Sequence, residues 1–379
     1  MAMKRREFVK MAGMAAVGSA ALPGYASGEK SQHEEHYNEK GIHPVLEKDH
    51  PYIFIDSCMQ IWPDAEFEKA HKHGATVYGV TAWDPNIPLD QAIEGMMYWH
   101  WVARVHPNLT IVTSAEDILT AKKNKKAGLW LASQCGDFID YKLHRIEALY
   151  RLGLRMLILA YSATNKLCAG CLDRTDNGLT EFGRLVVDEC NRIGLLLDCS
   201  HIGRRSSLEI IERSQQPVVF SHSCTKALAN NPRNIDDEQI KSCAAKGGII
   251  GLSSWGPMVL KDGQKTRPTV DDFIDHIDHV SQLLGSTDNI GVGTDMSLGT
   301  YADHAHDPWG DPTYKDVTST YNTHITPNIR SPHRMVEGFA YYPEVLNFVA
   351  KLKKRGYSET DVRKILGENY IRVFKLVWK

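Results

Sequence analysis

The chain has 379 residues, 42% of them hydrophobic and 24% charged, with a formal net charge of −2. Near-neutral charge, without a basic run interleaved with aromatics, argues against a nucleic-acid partner. No run in the chain approaches the roughly 20 apolar residues a membrane-spanning helix needs.

The first segment reads as a leader. Lys4, Arg5 and Arg6 precede Glu7 and the apolar Phe8 and Val9, and a short Ala- and Gly-rich run follows over residues 11–22. Small residues at Gly24 and Ala26 offer a cleavage site. Paired arginines before a weakly hydrophobic run match a twin-arginine signal, which makes the export machinery a partner and places the protein in the periplasm or outside the cell. Residues 1–26 are therefore set aside as signal peptide and 27–50 as a polar arm rich in His, Glu and Lys.

From residue 51 a different rhythm begins. Short apolar runs bounded by turn residues alternate with stretches of helical period, the signal of βαβ units and a parallel sheet. Eight such runs occur, at 53–58, 76–80, 128–134, 156–161, 195–201, 218–222, 248–252 and 289–295. Helices are expected to start at Thr180, Asp236 and Thr269 and to stop at Gly194, Gly247 and Gly285. Eight strands with intervening helices make a closed (β/α)8 barrel, a TIM barrel spanning 51–379 as one domain. Residues 299–338 break the rhythm, being rich in Pro, His, Asp and Tyr, and read as a long loop over the barrel mouth. Within it His304, His306, His324 and His333 read as a solvated histidine-rich stretch, with Trp309 and Tyr314 as candidate pocket walls. The closing segment reads as two amphipathic helices on the barrel's outside. Six of the eight cysteines are expected as single thiols, while Cys168 and Cys171, the one CxxC pair, fit a local disulfide or two free thiols equally.

The chemistry-bearing residues sit where the strands end. The first run finishes at Asp56, Ser57 and Cys58, the third at Gln134 and Cys135, and the fourth at Tyr161. The fifth and sixth end in His201 and His222, each beside serine, and the eighth in Asp295. In a β/α barrel such ends converge on one mouth. Two imidazoles from neighbouring strands with a carboxylate suit a divalent ion such as zinc.

These residues also carry a family likeness. Residues 197–201 (Leu-Asp-Cys-Ser-His) and 217–223 (Pro-Val-Val-Phe-Ser-His-Ser) resemble the paired histidine motifs of the membrane dipeptidases, peptidase family M19. Similar stretches are 232–238, with Arg233 and Asn234, the 178–194 helix region, 291–295 ending in Asp295, and the C-terminal 365–374. The resemblance implies a metal-dependent hydrolase of the TIM-barrel type, acting on dipeptides and pairing as a homodimer. It further implies a zinc pair in which His201 and His222 hold one ion, with a bridging Glu at the third strand and a His-x-Asp pair at the first. Arg233 would hold the substrate carboxylate, Asp295 would accept the proton, and the fourth strand would support the oxyanion.

This chain departs from that pattern. The first-strand ligands become Cys58 and Gln60, the bridging Glu becomes Gln134, and the fourth-strand His becomes Tyr161. An amide cannot supply the negative charge that two dications need between them. Three readings follow. One zinc ion could remain on His201 and His222, with Cys58 or Asp295 completing the site and Tyr161 donating to the oxyanion; Gln134 is a poor ligand in that scheme. The pocket could instead run metal-free chemistry through Cys58, Cys135 and Tyr161. Or it could be a silent barrel that binds a carboxylate. The first is the expectation carried forward.

Overall fold

The computed structural model describes residues 51–61, 76–82, 87–298, 335–340 and 344–379. The leader, the polar arm and residues 299–334 of the expected 299–338 loop, with His304, His306, Trp309, Tyr314, His324 and His333, lie outside the described residues.

In chain order the elements are β1 (Ile55–Ile61), β2 (Val77–Thr81), α1 (Leu89–Val105), β3 (Leu109–Ile111), α2 (Ala115–Lys123) and β4 (Ala127–Ser133). Then come α3 (His144–Arg151), β5 (Leu154–Ile158), α4 (Glu181–Ile193), β6 (Leu196–Asp198), α5 (Arg204–Arg213) and β7 (Val219–Ser223). α6 (Asp237–Ala245), β8 (Ile249–Leu252), α7 (Gly256–Val259), α8 (Val270–Leu284), β9 (Ile290–Val292) and β10 (Met296–Leu298) complete the barrel. The chain ends in α9 (Val345–Lys354), α10 (Glu359–Arg363) and α11 (Asn369–Val377).

Eight parallel strands, β1, β2 and β4 to β9, run side by side, and Asp56 opposite Val292 closes the barrel between β1 and β9. All eight expected apolar runs are strands. Two short strands were not expected: β3, which pairs with β4, and β10, which extends the sheet beside β1. Helix caps fall where the sequence puts them. Thr180, Asp236 and Thr269 each accept a backbone N–H three residues on, and Gly194 and Gly285 end their helices in the left-handed conformation. The end of the loop returns to the barrel: Val336 N donates to Ser254 O at 3.0 Å and Val270 N to Glu337 O at 2.7 Å.

The C-terminal segment differs from an outer cover. α11 closes the amino-terminal end of the barrel, and Tyr370 reaches into its bore, where its hydroxyl donates to Ser57 Oγ at 2.6 Å. Glycine makes room for it. A Cβ on Gly251 would stand 2.4 Å from the Tyr370 hydroxyl, and one on Gly291 2.5 Å from its ring. Below it Phe374 and the half-buried Trp378 stack face to face, and the buried Trp130 meets both edge-on. Truncating a buried aromatic of this kind costs about 3–5 kcal/mol. The plug leaves the opposite, carboxyl-terminal end of the strands as the open face. Among the described residues no helix is long and apolar enough to cross a membrane.

Candidate active site at the barrel mouth

The end of β6 and the strand β7 bring two imidazoles together. His201 and His222 are both buried, and their Nε2 atoms stand 2.9 Å apart. The order behind His222 is specific. Asp198, at the last position of β6, accepts the backbone N–H groups of Ser200 and Ser221 and the Ser221 hydroxyl. Ser221 Oγ, having given its proton to that carboxylate, accepts from His222 Nδ1 at 2.6 Å. His222 is thereby held as the Nδ1–H tautomer, with the Nε2 lone pair facing His201. His201 Nδ1 meets Ser162 Oγ at 2.7 Å, and the Tyr161 ring stacks on its imidazole at 4.1 Å.

Burial, then the positive charge of Arg233, holds both imidazoles well below the usual histidine range, so both are neutral and able to ligate. Burial pushes Asp198 upward despite its donors. Three of the six non-glycine residues with positive φ among the described residues are at this mouth: Ser162, His201 and Asp295. Such backbone costs about 1 kcal/mol or more per residue and persists where surrounding structure imposes it, often at functional sites.

The other side of the mouth is built from β1, β4 and the residues after β9. Gln60 Nε2 donates to Asp295 Oδ1 at 2.9 Å, and the Cys58 thiol lies 3.9 Å from the same oxygen. Gln134 Nε2 donates to Thr81 Oγ1 at 2.7 Å and faces Cys58 Sγ at 3.6 Å. Burial, then the charges of Asp295, Asp56 and Asp198, pushes the Cys58 thiol well above its ordinary range. Burial thus favours the neutral thiol at Cys58 in this arrangement. Asp56 ties β1 to the residue after β9 through the Thr294 N–H at 2.8 Å and the Thr294 hydroxyl. Cys135 turns elsewhere, its thiol donating to Asp137 at 2.6 Å. All eight cysteines are free, Cys168 and Cys171 included.

Arg233 sits on the loop between β7 and α6. Its neighbour Asn234 locks that loop, donating to Ala229 O at 3.0 Å and Met258 O at 2.8 Å while accepting from Cys224 N at 3.2 Å. The buried guanidinium reaches His222 O at 3.3 Å. It lines a small pocket of about 100 Å³ together with His201, Cys171, Ser223, Lys226 and Arg204.

The structure therefore groups His201, His222, Tyr161 and Arg233 on one side and Cys58, Gln60, Gln134 and Asp295 on the other. Among the described residues no set of three or more His, Cys, Asp or Glu side chains is positioned to hold a metal ion. Sequence reasoning missed Ser162, Asp198, Ser221 and Ser223. A serine beside each histidine was the visible signal for two of them.

A parallel β/α barrel with two convergent imidazoles at its carboxyl-terminal mouth is the frame of a metal-dependent hydrolase. The family model of the membrane dipeptidases (peptidase family M19) matches residues 65–313. The chain belongs to that family, whose dipeptidases are metallopeptidases. It is 28% identical over 200 residues to an uncharacterized dipeptidase of Schizosaccharomyces pombe, which covers 52% of this chain and 48% of that protein. It is 26% identical over 314 residues to dipeptidase 3 of Rattus norvegicus, covering 79% of this chain and 56% of that one. The chain thus spans about half the length of the curated relatives it matches. Among solved structures, an amidohydrolase from Pseudomonas aeruginosa superposes with a TM-score of 0.74 at 30% identity, over 86% of this chain and 97% of that one. A metallo peptidase from Rhodobacter sphaeroides, liganded with a phosphinate mimic of the dipeptide L-Ala-D-Ala, shares the fold at TM-score 0.63 and 21% identity, over 78% of this chain and 77% of that one.

Proposed function

We propose that this protein is an exported hydrolase of a dipeptide or small amino-acid conjugate that works with one zinc ion, held by His201 and His222. The observation that carries this is the approach of the two Nε2 atoms to 2.9 Å with the His222 tautomer fixed from behind. At that distance the two nitrogens share either a proton, as an N–H···N hydrogen bond, or a cation that replaces it. The donors fit one ion on two imidazoles with solvent in the open positions. They do not fit a zinc pair, because Gln134 is neutral and Asp295 is engaged by Gln60. A divalent ion there would supply a water of lowered pKa and polarise a carbonyl oxygen.

The chain's own groups do the rest. Arg233 binds the substrate carboxylate and sets the position of the scissile bond relative to the imidazoles. The Tyr161 hydroxyl, on a ring fixed against His201, donates to the oxyanion. Asp295, steadied by Gln60, accepts the proton from the attacking water on its carboxylate. Lys4, Arg5 and Arg6 ahead of an Ala-rich run support export.

Elemental analysis of the dialysed, folded full chain, followed by a dipeptide screen, tests this. About one zinc per chain with turnover is expected; two ions per chain would exclude the single-ion site. A second reading, a barrel that binds a carboxylate without hydrolysing anything, is favoured by the lack of a third ligand among the described residues. No bound metal and no turnover, with carboxylate binding retained, would establish that one instead.

A further inference from the structure

The pocket beside His201 holds more positive charge than one carboxylate uses. Of its three cations, Arg204 is already neutralised by Asp236 and Glu238. Neither Arg233 nor Lys226 pairs with any carboxylate among the described residues. The guanidinium of Arg233 is 5% exposed, and the one backbone oxygen it reaches there is that of His222. The Ser223 hydroxyl is fully buried in the same wall and has no hydrogen-bond partner. The amides of that wall are used internally: Asn234 holds Ala229 and Met258, and Gln239 donates to Ser207 Oγ at 2.8 Å. Cations without a carboxylate partner, beside a buried hydroxyl with no partner at all, recognise an anion, since a buried donor left unmade is expensive. The two free cations also sit at different depths, Arg233 buried and Lys226 exposed. That separation suits two carboxylates on one ligand better than a single multiply charged group.

We propose that the pocket selects a ligand ending in an acidic residue, aspartyl or glutamyl. Its α-carboxylate lies against Arg233 and Ser223, and its side-chain carboxylate against Lys226. The first contact rests on the hydrolase reading above; the second, and the role of Ser223, go beyond it.

The test compares N-acetylglutamate with N-acetylglutamine, equal in shape and different by one charge, by calorimetry on the full chain. In parallel, kcat/KM is measured for Ala-Glu and Ala-Gln. The glutamyl ligand is expected to win by about tenfold in both assays. Lys226→Ala should bring that ratio towards one, and Ser223→Ala should weaken both ligands by a similar factor. Equal affinity for the two ligands, or an unchanged ratio in Lys226→Ala, overturns the proposal. So does inorganic phosphate competing as well as N-acetylglutamate, which would mean one compact anion site. Preference for N-acetylglutamate without turnover of either dipeptide supports the subsite and removes the hydrolase reading beneath it. Turnover of both dipeptides at equal rates does the reverse.

Discussion

The two sides of the barrel mouth have the same architecture and opposite electrostatic logic. On the β6–β7 side, two neutral imidazoles meet through their Nε2 atoms, and a carboxylate and a hydroxyl hold one of them there. On the β1–β4–β9 side, the Gln60 amide and the Cys58 thiol face one carboxylate, and the Gln134 amide stands against the thiol. The proposed ion would complete the first side. The second is already balanced, because a Gln60 amide hydrogen points at Asp295 where the family pattern would put a metal. The strand ends at β1 and β4 have traded ligand charge for hydrogen bonds without disturbing the barrel, since Asp56 and Ser57 still tie β1 to β9 and β7. Ion capacity and fold are thus separable in this chain: one resides in side-chain tips at the mouth, the other in strand backbones below it.

The largest expected effect breaks the first side. His222→Ala removes one of the two imidazoles, and metal content should fall from about one ion per chain to near zero by elemental analysis. Retained metal would place the ion elsewhere. The converse substitution sharpens the comparison. Cys58→His, Gln60→Asp and Gln134→Glu together restore the charge on the second side and should raise the content to about two ions per chain. If the triple variant still folds, by circular dichroism, and holds one ion, the two sides differ by more than those three residues.

Acid should weaken the first side through a buried histidine behind it. His276 lies behind the segment that follows His222: its Nδ1 accepts from Thr225 N at 3.1 Å and lies 2.8 Å from Thr225 Oγ1, and its Nε2 lies 3.2 Å from Val259 O. Burial pushes it down to about 4. An unfolded chain takes up that proton near pH 6.5, the folded one only near 4. Stability from this group is therefore complete above pH 6.5, falls as the pH drops towards 4, and levels off below that, with a total loss of about 3 kcal/mol. Denaturant midpoints between pH 7 and 4 measure it. His276→Asn should flatten the slope over this window, and an unchanged slope would assign the acid sensitivity to other groups.

The barrel was legible in the sequence because each strand is a short, largely apolar run bounded by turn residues, and six of the eight runs end in polar residues. β3 and β10 escaped because three residues, Leu109 to Ile111 and Met296 to Leu298, carry no period. The pattern of α11 said that one face is buried but not against what. Gly251 and Gly291, inside two of the apolar runs, were the trace of Tyr370 between them. At the mouth, strand-end position alone identified His201, His222 and Asp295. What could not be read was which neighbour orients each ring. Ser162 lies 39 residues from His201 and Asp198 lies 23 from Ser221, separations at which only the folded barrel sets the contact.

That orienting chain gives the smallest and most discriminating effect. Ser221→Ala keeps both imidazoles and removes the hydroxyl through which Asp198 sets the His222 tautomer. Without it, Nδ1 has lost the acceptor that kept its proton, and the ring is free to place the proton on Nε2, where it blocks an ion. Zinc affinity should fall by about 10- to 100-fold, the usual effect of losing an outer-shell partner. The 15N shifts of the His222 ring should move from one Nδ1–H form towards a tautomer mixture. Ser221→Thr, which keeps the hydroxyl, should recover most of the affinity if the added methyl is accommodated. A loss in Ser221→Ala without any change in the ring shifts would mean that Ser221 acts through packing between β6 and β7, and that the imidazole pair needs no carboxylate behind it.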